Sequence, residues 1–226
     1  MVKRMTEADH DRVSAAIAAA EGTTAGEIVA VVTETSDPYH DVALHWSVLA
    51  LIAVLAWAAA WPSALRWSWD TLIGGGWGAE PSVRQLLTFL MILAVFKFTA
   101  VLMVLKYRPL RLALTPGQTK TRRVRRRAVM VFKSAAERRT SGRTGILVYL
   151  SMAERRAEII GDEAITSVTT PETWGEAMHA LLADVREGRV ADGMVAAIEQ
   201  IGVVLAEHFP RAADDRNEIP DKLIEL

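Results

Sequence analysis

The chain has 226 residues, 51% of them hydrophobic, and a formal net charge of −1 at pH 7. It contains no cysteine, which excludes a disulfide framework, a thiol nucleophile and thiolate metal sites. The small net charge hides segregation, with a basic excess around Lys106–Arg127 and acidic residues concentrated beyond Asp162, so it singles out no partner.

The N-terminus, MVKRMTEADHDR, lacks the apolar core of a cleavable signal peptide. Thr6 followed three residues later by Asp9 has the form of a helix cap, and Val13, Ala16, Ile17 and Ala20 then share one face until Gly22 closes the helix. The Val-rich run Glu27–Thr35 predicts a buried strand, ended by the turn-forming Ser36-Asp37-Pro38. A helix and one strand cannot bury themselves alone, so this piece needs partners from further along the chain.

Val42–Lys106 predicts a transmembrane hairpin, with spans at about 42–62 and 85–105. His45 is the only titratable residue from Val42 to Leu65, and Lys97 alone interrupts Leu86–Leu105. At about 1.5 Å per helical residue, roughly 20 apolar residues cross a hydrocarbon core. Trp46, Trp57, Trp61, Trp67, Trp69 and Trp77 lie in or between the runs, where indole rings favour the headgroup level. The alternative, core aromatics of a soluble domain, fits poorly with runs that carry so few charges. Gly74-Gly75-Gly76 before Trp77 predicts a flexible turn.

Lys106, Arg108, Arg111, Lys120 and the cluster Arg122, Arg123, Arg125, Arg126 and Arg127 follow the second run, whereas the connecting loop holds only Arg66 and Arg84. That asymmetry predicts both termini cytoplasmic, and without a cleavable signal peptide the first span is expected to act as an uncleaved signal anchor of a multi-pass protein of the cell inner membrane. Lys97, near the middle of its span, marks either a polar contact between spans or protomers, or a cation tolerated through local water and helix adjustment.

Beyond Pro116-Gly117, Thr119–Arg139 predicts a helix with Val124, Ala128, Val131 and Ala135 on one stripe. Gly145–Leu150 and Arg156–Ile160 predict an antiparallel strand pair. Thr170-Pro171 starts a helix that stops at Gly188, and a last helix runs from about Ala191 to His208. The tail 211–226 is polar and loosely ordered, with Ile219, Leu223 and Leu226 able to dock as one short turn. The expected fold class is α/β: residues 1–38 and 111–210 form one domain, interrupted by the hairpin at 39–110, with Glu27–Thr35 joining the sheet of Gly145–Ile160.

Thr144–Ser151 (TGILVYLS) followed by Ala153–Asp162 (AERRAEIIGD) resembles the central hairpin of the TPM domain family, named for a plant thylakoid protein, a photosystem repair protein and a nematode receptor modulator. Thr24–Val32 resembles the family's first strand, and Gly188–Ile198 (GRVADGMVAAI) the start of its last helix. The resemblance spans roughly Thr6–Thr35 and Arg127–Pro210. It implies a three-layer α/β/α sandwich with a small mixed sheet, membrane association and, for some members, acid phosphatase activity or calcium binding through acidic loops. Many members have Asp or Asn before the Gly of the central strand and Gly-Tyr/Phe-Gly-Leu-Glu after the second strand. Here Arg143-Thr144 and Gly161-Asp162-Glu163-Ala164-Ile165 stand instead, which weakens the transfer of that chemistry.

Asp162 and Glu163 are the best acidic pair for catalysis or for a divalent cation such as calcium, with Glu187 and Asp192 as further ligands. No EF-hand loop, nucleophile elbow, phosphate loop or metal-type histidine spacing is present. The arginine cluster predicts contact with anionic headgroups of the lipid bilayer; it lacks the interleaved aromatics of a nucleic-acid patch. The expected function is therefore a non-catalytic membrane-anchored module for binding a membrane protein or for assembly and maintenance of a membrane complex. Metal-assisted acid phosphatase is the alternative.

Overall fold

The computed structural model describes residues 5–74, 80–135, 142–211 and 217–226. Helix α1 (Glu7–Glu21) starts at the cap seen in the sequence: the Asp9 N–H donates to Thr6 Oγ1 (3.2 Å) and the Thr6 N–H to Asp9 Oδ2 (2.9 Å). Strand β1 (Glu27–Thr33) follows and stops two residues short of the expected end, because Thr35 turns its hydroxyl to the Asp37 carbonyl (3.1 Å).

Next come α2 (His40–Ala60), α3 (Pro62–Trp69), a π-helical turn (Asp70–Gly74), α4 (Val83–Val104) and α5 (Arg108–Ala113). The described first half of the expected loop, Pro62–Gly74, is therefore helical, with Pro62 in the first turn of α3, where its missing N–H costs nothing. Gly75, Gly76 and Trp77, of the expected flexible turn, lie outside the described residues. Helices α2 and α4 pack on each other, and Ala58, Leu65 and Phe89 form a small core with Trp69 edge-on to Phe89 (ring centroids 5.6 Å apart).

The remaining elements are α6 (Gly117–Ala135), β2 (Gly145–Ser151), β3 (Arg156–Gly161), α7 (Glu163–Val168), a 3₁₀ turn (Pro171–Trp174), α8 (Gly175–Arg186), α9 (Val190–His208) and β4 (Ile224–Glu225). The chain divides into two compact units, residues 1–37 with 117–226, and residues 38–116.

In the first unit the sheet order is β3-β2-β1-β4. Strands β1 and β2 run parallel in register from Glu27 opposite Gly145 to Thr33 opposite Ser151, and β3 returns antiparallel to β2. Alternation along the strands builds two cores. Ile28, Ala30, Val32, Ile146, Val148 and Leu150 face α1, α8 and α9, whereas Val29, Val31, Leu147 and Tyr149 lie under Val124, Ala128, Val131 and Phe132 of α6. Burial on both faces explains why β1 and β2 read as unbroken apolar runs. The result is the three-layer α/β/α sandwich with a mixed sheet that the sequence implies.

The tail departs from expectation. It docks as a strand rather than a turn: β4 pairs parallel with Val31 and Val32, and Ile219 and Leu223 are buried. The Leu226 N–H donates to the Val32 carbonyl (3.0 Å), and Thr33 Oγ1 to the Leu226 carbonyl (3.0 Å). An apolar strand left bare at the sheet edge would offer unpaired backbone groups to other chains, and this segment covers them.

Candidate functional site

The acidic residues singled out by sequence occupy two places. Asp162 follows β3 and caps α7, its Oδ1 accepting the Glu163 N–H (2.7 Å), and Glu163 pairs with Arg143. In the α8–α9 turn, Arg189 pairs with Asp184 and Glu187 and lies 3.7 Å from Asp192, which also pairs with Arg12 of α1. Glu187 and Asp192 are thus brought together through a shared guanidinium. These contacts, led by the hydrogen bonds to Asp192 and Glu187 respectively, hold Arg12 and Arg189 above the usual guanidinium range. Among the described residues no three His, Cys, Asp or Glu side chains are grouped to hold a metal ion.

A second polar group lies at the carboxyl ends of β1 and β2, the end at which open α/β sheets commonly hold ligands. The buried Glu154 carboxylate accepts from Thr35 Oγ1 (3.2 Å), the Ser36 N–H (3.0 Å) and Ser151 Oγ. Ser36 Oγ meets the Tyr149 hydroxyl at 3.0 Å, and burial pushes the Tyr149 phenol up. Ser151 is wholly buried, so its hydroxyl is closed to a substrate although a carboxylate stands beside it. The network fixes the segment Glu34–Asp37, which Arg123 of α6 holds again through Asp37 (2.7 Å). Glu154→Ala would strand the buried Ser151 hydroxyl and the Ser36 N–H. We expect a loss of about 1–3 kcal/mol in reversible denaturant unfolding.

A third group lies at the opposite end of β1. Glu21, Glu27, Arg211, Asn217 and Asp221 line a cavity of about 130 Å³. Glu27 accepts the N–H groups of Glu218 (3.2 Å) and Ile219 (3.1 Å), and Glu21 Oε1 accepts the Ile28 N–H (2.7 Å). Burial, more than the neighbouring carboxylates, pushes Glu21 up to about 9 and raises Glu27 as well. Sequence reasoning missed this cluster. Its one local signal is a Glu in the last turn of α1, where the helix dipole disfavours an anion.

The arginine cluster lies on α6. Arg123 turns inward to Asp37 and Arg125 reaches to 3.7 Å from Glu158, while Arg122, Arg126 and Arg127 are exposed. Lys97 is exposed on α4. The two long helices α2 and α4 are the candidate membrane spans, with only 22% and 11% of their most apolar stretches buried.

Residues 112–204 match the family model of the TPM domain. The NMR structure of BA42 protein from the psychrophilic bacterium Bizionia argentinensis has a similar fold, with a TM-score of 0.57 and 18% identity over 99% of this chain and 97% of that chain. No curated protein matches the chain.

Proposed function

Because this chain carries a TPM domain, we propose that it is an integral membrane protein whose TPM-like unit, split by a two-helix hairpin, binds a membrane protein and serves the assembly or maintenance of a membrane complex. The supporting observation is the exposure of α2 and α4. A core helix of a soluble protein of this length and apolarity would be mostly buried, and these keep Leu49, Ile52, Met91 and Phe96 more than half exposed. Basic residues following α4 favour a cytoplasmic location for both termini and the TPM-like unit.

Alkaline extraction of cell membranes tests the anchor: the chain should stay with the bilayer, and release into the soluble fraction would refute it. Reporter fusions at the two ends test the orientation and should report the same compartment. A non-catalytic role is supported by the engagement of the candidate carboxylates with arginines and a helix cap. Purified chain should leave phosphate esters intact; turnover lost on Asp162→Asn would establish the phosphatase alternative instead.

The exposed Arg122, Arg126 and Arg127 suit anionic headgroups, each worth on the order of 1 kcal/mol near a charged surface. Reversing all three to Glu should reduce the anionic lipid that copurifies with the chain, read by native mass spectrometry, without changing its helicity.

A further inference from the structure

Residues 217–226 lie along the outer edge of β1 as a strap, tied at its far end by β4 and at its near end by the carboxyl cluster. The near end holds an unusual group. Glu21 is only 8% exposed, its Oε1 is engaged by the Ile28 N–H, and its Oε2 has no hydrogen-bond partner among the described residues. From the strap side the same cavity receives Asp221, which Asn217 holds in place.

A buried carboxylate oxygen without a donor, beside a second carboxylate, is costly when both are ionised. Protonation removes the conflict, because a neutral Glu21 becomes an O–H donor toward Asp221. We propose that the strap 217–226 is a releasable cover on the edge of β1, latched by one proton held between Glu21 and Asp221.

The other charged groups around the latch fit this reading. Glu27 of β1 and Glu218 of the strap add negative potential, and among the described residues Arg211, after α9, is the cation lining the cavity. At the far end, His10 of α1 lies 3.5 Å from Glu225. Burial holds Glu21 near 9 when the strap is closed, against 4.5 for a solvated carboxyl, so closing takes up a proton between those values. The closed state is therefore favoured at low pH and loses its advantage as pH rises from about 4.5 to about 9. Release uncovers the Val32 carbonyl, now bonded to the Leu226 N–H of the strap, while Glu21 of α1 keeps its bond to the Ile28 N–H. The latch concerns the TPM-like unit alone and stands apart from the binding role proposed above.

The test is hydrogen exchange on the full chain in lipid nanodiscs from pH 6 to 9, corrected for intrinsic rates. Strap amides Glu218, Ile219 and Leu226 should lose protection by up to tenfold per pH unit, while β2 amides stay constant and report that the unit remains folded. Glu21→Gln, which keeps an acceptor for Ile28 and gains a donor for Asp221, should make strap protection independent of pH. His10→Gln should leave the wild-type slope intact. Flat protection in the wild type, an unchanged slope in Glu21→Gln, or a slope abolished by His10→Gln would each overturn the latch.

Discussion

Gly193→Val should destabilise the TPM-like unit by about 3 kcal/mol in denaturant unfolding, the upper part of the range for overpacked cores. A Cβ at this position would sit 2.7 Å from the Leu181 carbonyl oxygen and 3.2 Å from Asp184 Cβ. The first of these is backbone in the middle of α8, which cannot rotate away as a side-chain end can. Helices α8 and α9 would have to separate, and α9 carries Met194, Ile198, Ile201 and Leu205 into the larger core. Gly188, five positions earlier, has a different reason to be glycine: its φ of +81° lies in the left-handed region, while the space around it is open. Gly188→Ala should accordingly cost only about 1 kcal/mol, from backbone strain without a clash. The contrast between the two variants gives physical content to the spacing of glycines at the start of the last helix.

Lys97→Leu should make insertion of the second span more favourable by about 3 kcal/mol in a glycosylation-based insertion assay. The ammonium is exposed on a helix whose neighbours Val95 and Phe96 are also exposed, at 56% and 63%. In a bilayer such a cation is met by water, by snorkelling toward the interface or by a polar group on another protein. Unchanged or reduced insertion of Lys97→Leu would count against α4 as a membrane span.

The local features were legible because their causes are local. Thr6 and Asp9 form their cap from four consecutive residues, and the apolar runs of α2 and α4 announce themselves by length. The sandwich was legible at one remove, since Glu27–Thr33 cannot bury both faces without strands from beyond the hairpin. The strap was not, because a two-residue strand has no periodicity and because Ile219 and Leu223 are held by a partner edge almost two hundred residues away. Asp162 and Glu163 looked like a metal pair because adjacent carboxylates do so in any sequence; their use as a helix cap and an ion pair depends on α7 and on Arg143. The Glu21 cluster was hidden for the same reason, its members coming from two stretches almost two hundred residues apart.

The parallel register of β1 with β2 also sets an order of events at the ribosome. β1 is synthesised before the hairpin, yet its ladder partner emerges only after both long helices have been made. Throughout that interval the nascent segment EIVAVVT, apolar and β-prone, has no native neighbour, and such segments invite misassembly. Maturation of the sandwich must therefore wait until β2 has been made, and until then β1 depends on some transient cover for its apolar faces.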